Sequence, residues 1–273
     1  MKKAIVILFA LLCSAQHSNP PIKKINCNSY GTLIASFICK NGIVVSSDSR
    51  TVMYNTQRKV VAYFEETSKI FQIQNFLIAV AGQYTFDTTS IASLIKGISA
   101  SNRLSDINLY AVHDSLLSYA KTKLSTFEYF SLYSNQFIIS GYYQNIPTIL
   151  YYDGGRRVEI TGEGYITNSS KDNDRTSVER NIKPLTVEQL IPVSMKFVTD
   201  IEEVSNKKDK WSIIGGPVSA ASIMDNKITW IKDQSRNNFE STRDFYTSYK
   251  SGKVRITYRS VKDSIDFPKR FPR

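Results

Sequence analysis

A hydroxyl is a weak nucleophile until a base takes its proton. A nearby ammonium steadies the alkoxide that results, and a carboxylate keeps that ammonium charged and oriented. A backbone N–H without a neighbouring Cβ can receive the oxyanion of an attacked carbonyl. Residue types for such acyl-transfer chemistry fall in one stretch of the chain. Gly31-Thr32 heads the apolar run Leu33 to Phe37, and Asp48-Ser49-Arg50 closes the next run sixteen positions after Thr32. Lys69 lies in Ser68-Lys69-Ile70-Phe71-Gln72-Ile73, and Gly82 ends Ala79-Val80-Ala81-Gly82. A lone Thr, Asp or Lys in a strand is nearly always structural or solvated; the order of the four segments is what joins them.

Gly31 to Phe37, followed by Asn41-Gly42-Ile43-Val44-Val45-Ser46-Ser47-Asp48-Ser49-Arg50, resembles the opening hairpin of proteasome β-subunits and their bacterial relatives, which are N-terminal-nucleophile (Ntn) hydrolases. The resemblance continues through the Lys69 segment and the Gly82 loop to Pro147–Asp153 and Ile214-Gly215-Gly216-Pro217-Val218, covering roughly residues 32–232. It implies cleavage of Gly31-Thr32, which exposes Thr32 as nucleophile with its own α-amine, of unperturbed pKa near 8, as base. By the same resemblance Lys69 favours the alkoxide, Asp48 orients Lys69, and the Gly82 N–H forms the oxyanion hole. Gly31 suits self-processing, since glycine tolerates the strained backbone that attack on its carbonyl demands. The implied fold is α+β, a four-layer αββα sandwich with two antiparallel sheets between helix layers.

The chain departs from the pattern at auxiliary positions. Active relatives carry a serine between two glycines where this sequence has Gly162-Glu163-Gly164. Trp211 and Ile214 fall where an Asp and a Ser are usual, with Asp209 and Ser212 close by. Glu163 reads either as a replacement acid/base or, preferably, as an exposed turn residue.

These residues must be positioned by strands and helices that the pattern already suggests. Leu33–Phe37 and Ile43–Ser47 flank Lys40-Asn41-Gly42, whose Asn-Gly pair signals a hairpin. Lys59–Phe64, Ser68–Ile73 and Phe76–Val80 continue the β pattern, with a turn at Gln74-Asn75 and a looser turn at Tyr54–Arg58 absorbing the long interval to Lys69. Helical spacing follows at Ile91, Leu94 and Ile98, then at Leu109, Val112, Leu116, Leu117 and Ala120 after a capping Asp106, giving a helix pair. Strands return at Gln136–Tyr142, Thr148–Tyr152 and Arg157–Thr161. A helix from about Val187 to Val204 precedes strands Val218–Met224 and Lys227–Lys232, and Val254–Tyr258 alternates as one more strand.

The flanks bear on location. Met1-Lys2-Lys3, the apolar run Ala4–Leu12 and Cys13-Ser14-Ala15 form the three regions of a secretory signal peptide, predicting cleavage after Ala15 and a periplasmic or extracellular protein. Residues 16–31 then form a pro-segment and 233–273 a basic C-terminal extension. No other apolar run approaches the roughly 20 residues of a membrane helix. Cys27 and Cys39 are expected unpaired, because an extended 32–39 strand of ~23 Å could be bridged only at full stretch. The formal charge of +11, from 35 basic and 24 acidic residues, is scattered without a nucleic-acid-binding signature, which favours a solvated basic surface.

Two readings of function stay open. One is an exported threonine peptidase or amidohydrolase acting on a peptide or small amide substrate, with catalytic residues Thr32, Asp48, Lys69 and Gly82. It needs no cofactor and no metal, and its expected partners exclude nucleic acid and an ATP-driven unfoldase. The other is a catalytically silent relative serving as a binding or assembly module. The resemblance also implies a homo-oligomer, without fixing a ring.

Overall fold

The structure, a computed structural model, describes residues 32–54, 57, 59–100, 107–168, 182, 184–208, 213–232 and 239–269. Among these, thirteen strands form three antiparallel sheets accompanied by six helices. The first sheet, in order β10-β1-β2-β11-β12, contains β1 (Ile34–Cys39), β2 (Gly42–Ser47), β10 (Gly164–Thr167), β11 (Ser219–Met224) and β12 (Lys227–Lys232). The second, β13-β4-β3, contains β3 (Thr51–Tyr54), β4 (Val60–Phe64) and β13 (Thr257–Tyr258). The third runs β5-β6-β7-β8-β9, from β5 (Ile70–Ile73) and β6 (Phe76–Ala81) through β7 (Gln136–Tyr143), β8 (Ile146–Asp153) and β9 (Arg156–Thr161).

The expected two-sheet αββα sandwich is therefore corrected. Residues 51–54, of which only Tyr54 falls within the loose turn expected at Tyr54–Arg58, pair with β4, and the C-terminal β13 adds a third strand on the other edge of β4. The helices are α1 (Ile91–Ala100), α2 (Ala111–Lys121), α3 (Thr126–Tyr133), α4 (Val187–Lys208), α5 (Thr242–Lys250) and α6 (Val261–Lys269). The expected helix pair is thus followed by a third helix, α3, started by a reciprocal Ser125–Glu128 capping box. Asp106, Cys27 and residues 1–31 lie outside the described residues. Cys39 is a buried free thiol.

Strand alternation distributes the core. From β1, Ile34 and Ile38 meet Ile70, Leu77, Ala79, Ile138 and Ile149 of the third sheet. Ala35, Phe37 and Cys39 point the other way, toward Val187 and Leu190 of α4. On β6, Leu77 and Ala79 join the cluster shared with the first sheet, while Ile78 and Val80 pack with Ile91, Leu94, Val112 and Leu116 of α1 and α2. Turns fix the registers: Gln74, the pair Gln144-Asn145 and the pair Asp225-Asn226 all have positive φ, as tight hairpins require. The first hairpin turns at Lys40-Asn41 rather than at Asn41-Gly42, because Cys39 pairs with Gly42. Gly42 is needed for packing instead: a Cβ there would sit 2.4 Å from the Ile223 carbonyl oxygen.

The C-terminal segment contributes to the core. Phe245 of α5 is buried, stacked on Phe64 at 5.0 Å and edge-on to Phe239 at 5.1 Å. Phe245→Ala should cost about 3 kcal/mol of unfolding free energy, measured by denaturant titration. His113, buried between Tyr152 (stacked, 3.9 Å) and Phe137, is pushed below its ordinary 6.5 by burial, which the neighbouring Asp114 opposes. Its neutral form is favoured when folded, so the unfolded chain binds more protons just below pH 6.5. Stability should fall on acidification through that window, and His113→Phe should flatten the dependence in pH-resolved thermal melts.

Candidate active site

The strand order brings Asp48 and Lys69 together, and the N–H of Leu33, the residue after Thr32, bonds to the same carboxylate. Asp48 directly follows β2, in the turn that would otherwise leave its main chain unpaired, and its N–H donates to the Leu33 carbonyl at 3.1 Å. Its carboxylate is fully buried and accepts from four donors. Oδ1 receives the Lys69 ammonium at 2.9 Å and the Leu33 N–H at 2.8 Å, while Oδ2 receives the Gly215 N–H at 3.0 Å and the Arg50 N–H at 3.3 Å. Lys69, just before β5, also donates to the Arg50 carbonyl. One oxygen shared by Lys69 and Leu33 holds the ammonium within a residue of Thr32.

Burial dominates the electrostatics of this pair. It pushes the Asp48 carboxyl up, opposed by Lys69 and the Gly215 and Leu33 N–H groups. It pushes Lys69 down, opposed by Asp48 and reinforced by the Arg50 charge.

The Gly215-Gly216 turn earns its glycines here. The Gly215 carbonyl accepts from the Ser49 and Arg50 N–H groups, and a Cβ on Gly215 would meet the Arg50 guanidinium at 2.3 Å. Gly216 has φ +80°. Arg50 itself pairs with Glu65 at 2.9 Å and lies over the Tyr63 ring.

Gly82, immediately after β6, has φ +133°, and a Cβ would fall 2.1 Å from Asn135 Oδ1. That carboxamide pairs with Gln83 at both ends: Oδ1 accepts the Gln83 N–H at 2.7 Å and Nδ2 donates to its carbonyl at 2.8 Å. Glycine at 82 is thus required by both backbone and space.

The auxiliary residues fall elsewhere. Glu163 is exposed in the turn between β9 and β10, with Gly164 opposite Ile38 at the far end of β1 from Thr32. The side chain that reaches Thr32 is Asn168, just past β10, donating to the Thr32 carbonyl at 2.6 Å. Asn168 and Asn135 leave little mark in the sequence, because carboxamides carry no titrating signal; only their positions at strand ends set them apart. Ile214 offers its carbonyl to Arg50, and Trp211, Asp209 and Ser212 lie outside the described residues. Among the described residues, no group of three or more His, Cys, Asp or Glu side chains is placed to hold a metal ion, and no helix is long and apolar enough to cross a membrane.

The arrangement of sheets around this centre is a proteasome-like fold. One solved structure with this likeness is a mutant of Anbu, a proteasome-like protein from Hyphomicrobium sp. strain MC1. It is 14% identical, covers 82% of this chain and 95% of its own, and superposes with a TM-score of 0.51. Neither protein-family models nor curated proteins give a match.

Gly82→Ala should cost about 2 kcal/mol or more, because it combines a strained positive φ with a clash against Asn135. Equilibrium unfolding of the variant checks this.

Proposed function

We propose that this chain is an exported, proteasome-like threonine peptidase or amidohydrolase, with Thr32 as its nucleophile once the Gly31-Thr32 bond is cut. The observation that carries the reading is the buried Lys69–Asp48 pair, whose carboxylate also holds the N–H of the residue next to Thr32. In this reading the freed α-amine of Thr32 takes the hydroxyl proton as Oγ bonds to the substrate carbonyl carbon. Lys69 stabilises the developing alkoxide, and the Gly82 N–H donates to the oxyanion. The C–N bond then breaks, with the proton passing from the amine to the leaving nitrogen. Water cleaves the resulting ester, releasing the acid and restoring the hydroxyl. Signal cleavage after Ala15 and removal of residues 16–31 would deliver the mature protein to the periplasm or beyond, where peptides or small amides are attacked without energy coupling.

One observation favours the second reading, a silent binding or assembly module. Among the described residues, the side chain that bonds the Thr32 main chain is the Asn168 carboxamide, which relays protons poorly.

N-terminal sequencing and intact mass of the mature protein should find Thr32 as the first residue. Thr32→Ala should leave the pro-segment attached and lower hydrolysis of fluorogenic peptide amides by about 10³-fold or more. A mature chain beginning near Gln16, with no hydrolysis, supports the silent module.

A further inference from the structure

The first sheet stops short of the nucleophile proposed above. β10 pairs with β1 only as far as Ala35 opposite Thr167, so Thr32 and Leu33 lie beyond the last strand pair. Both polar groups of the peptide unit joining them are nevertheless held, and by side chains. The Leu33 N–H donates to Asp48, and the Thr32 carbonyl accepts from Asn168 Nδ2.

Asn168 continues the ladder past its end. Its own N–H donates to the Ile34 carbonyl at 3.3 Å, and its Oδ1 accepts the Ile34 N–H at 2.9 Å. The second Nδ2 contact, at 3.2 Å, goes to Gln136 Oε1 at the start of β7. Gln136 follows Asn135, which is 2% exposed and holds both main-chain groups of Gln83 beside Gly82. A continuous polar connection therefore runs from the Gly82 loop through Asn135 and Gln136 to Asn168 and the Thr32 carbonyl. It joins the first sheet to the third on the side of Thr32 opposite Asp48.

We propose that Asn168, anchored by Gln136, is a positioning residue that fixes the Thr32 main chain relative to the Gly82 loop. The inference rests on Thr32 being the nucleophile. Hydroxyl and oxyanion donor sit on different sheets, and apolar contacts between sheets do not define their separation closely. Directional carboxamide bonds do, and a misplacement of about 1 Å costs roughly 10²-fold in rate.

The test uses the mature protein, fluorogenic peptide amides and a peptide vinyl sulfone that labels the active fraction. Asn168→Ala should lower kcat by about 10²-fold while KM stays within about threefold. Asn168→Asp keeps an acceptor for Ile34 but offers the Thr32 carbonyl no donor, so it should lose as much as the alanine variant. Were Asn168 only a support for the sheet end, the aspartate variant would work like the wild type. Gln136→Leu should fall between, and rates are expressed per labelled molecule so that a poorly folding variant still reports. The inference is overturned if Asn168→Asp keeps kcat within about threefold in an assay that Thr32→Ala abolishes. A wild-type protein that neither turns over substrate nor takes label overturns the nucleophile reading itself, and this inference with it.

Discussion

An ammonium and a carboxylate, both buried, meet at 2.9 Å where the first and third sheets come together. Isolated burial of either charge costs several kcal/mol even after relaxation, and mutual attraction offsets this only when the remaining hydrogen-bonding capacity is filled. The surroundings of Asp48 meet that demand with three backbone N–H groups from separate parts of the chain: Leu33 ahead of β1, Arg50 in the turn after β2, and Gly215 ahead of β11. Much local sequence follows from the constraint. Gly215 must lack a side chain to leave room for Arg50, and the β1–β2 hairpin must bring Leu33 back to Asp48.

Because Asp48 is held from several directions, it holds others in turn. The Thr32–Leu33 peptide unit lies outside the strand ladder, yet both its polar groups are fixed, by Asp48 at one end and Asn168 at the other. The apolar clusters bring the sheets into register at this point. Alternation along β1 sends Ile34 and Ile38 toward the third sheet and Phe37 toward α4, so a slip of one residue would invert both faces and break the centre. Core packing thus supplies coarse alignment, and the buried polar groups refine it.

The order of Thr32, Asp48, Lys69 and Gly82 was legible because each is tied to a hairpin whose apolar alternation is plain in the sequence. Most strands were legible for the same reason, and tight turns at Gln74-Asn75 and Asp225-Asn226 set their limits. The second sheet was not. β3 is four residues long and β13 only two, and although alternation marks Val254–Tyr258 as a strand, nothing local shows that its end pairs with β4 nearly two hundred positions away. α3 could have been found from Ser125 and Glu128, a capping box of recognisable spacing. The glycines flanking Glu163, which align it with an auxiliary serine in sequence, serve a turn with φ of +78° and +124° at the other end of β10. Asn168 fills the position beside Thr32, and a carboxamide after a strand gives no signal until the ladder's end is known.

Lys69 and Asp48 thus act as one buried, mutually dependent unit. A double-mutant cycle of Asp48→Asn and Lys69→Met, followed by equilibrium unfolding, addresses this most directly. Each single change strands the other group in an apolar site and should cost about 3–5 kcal/mol. The double variant should be no worse than the more damaging single one, giving a coupling of roughly 3 kcal/mol. Costs that simply add, to within about 0.5 kcal/mol, would contradict the account.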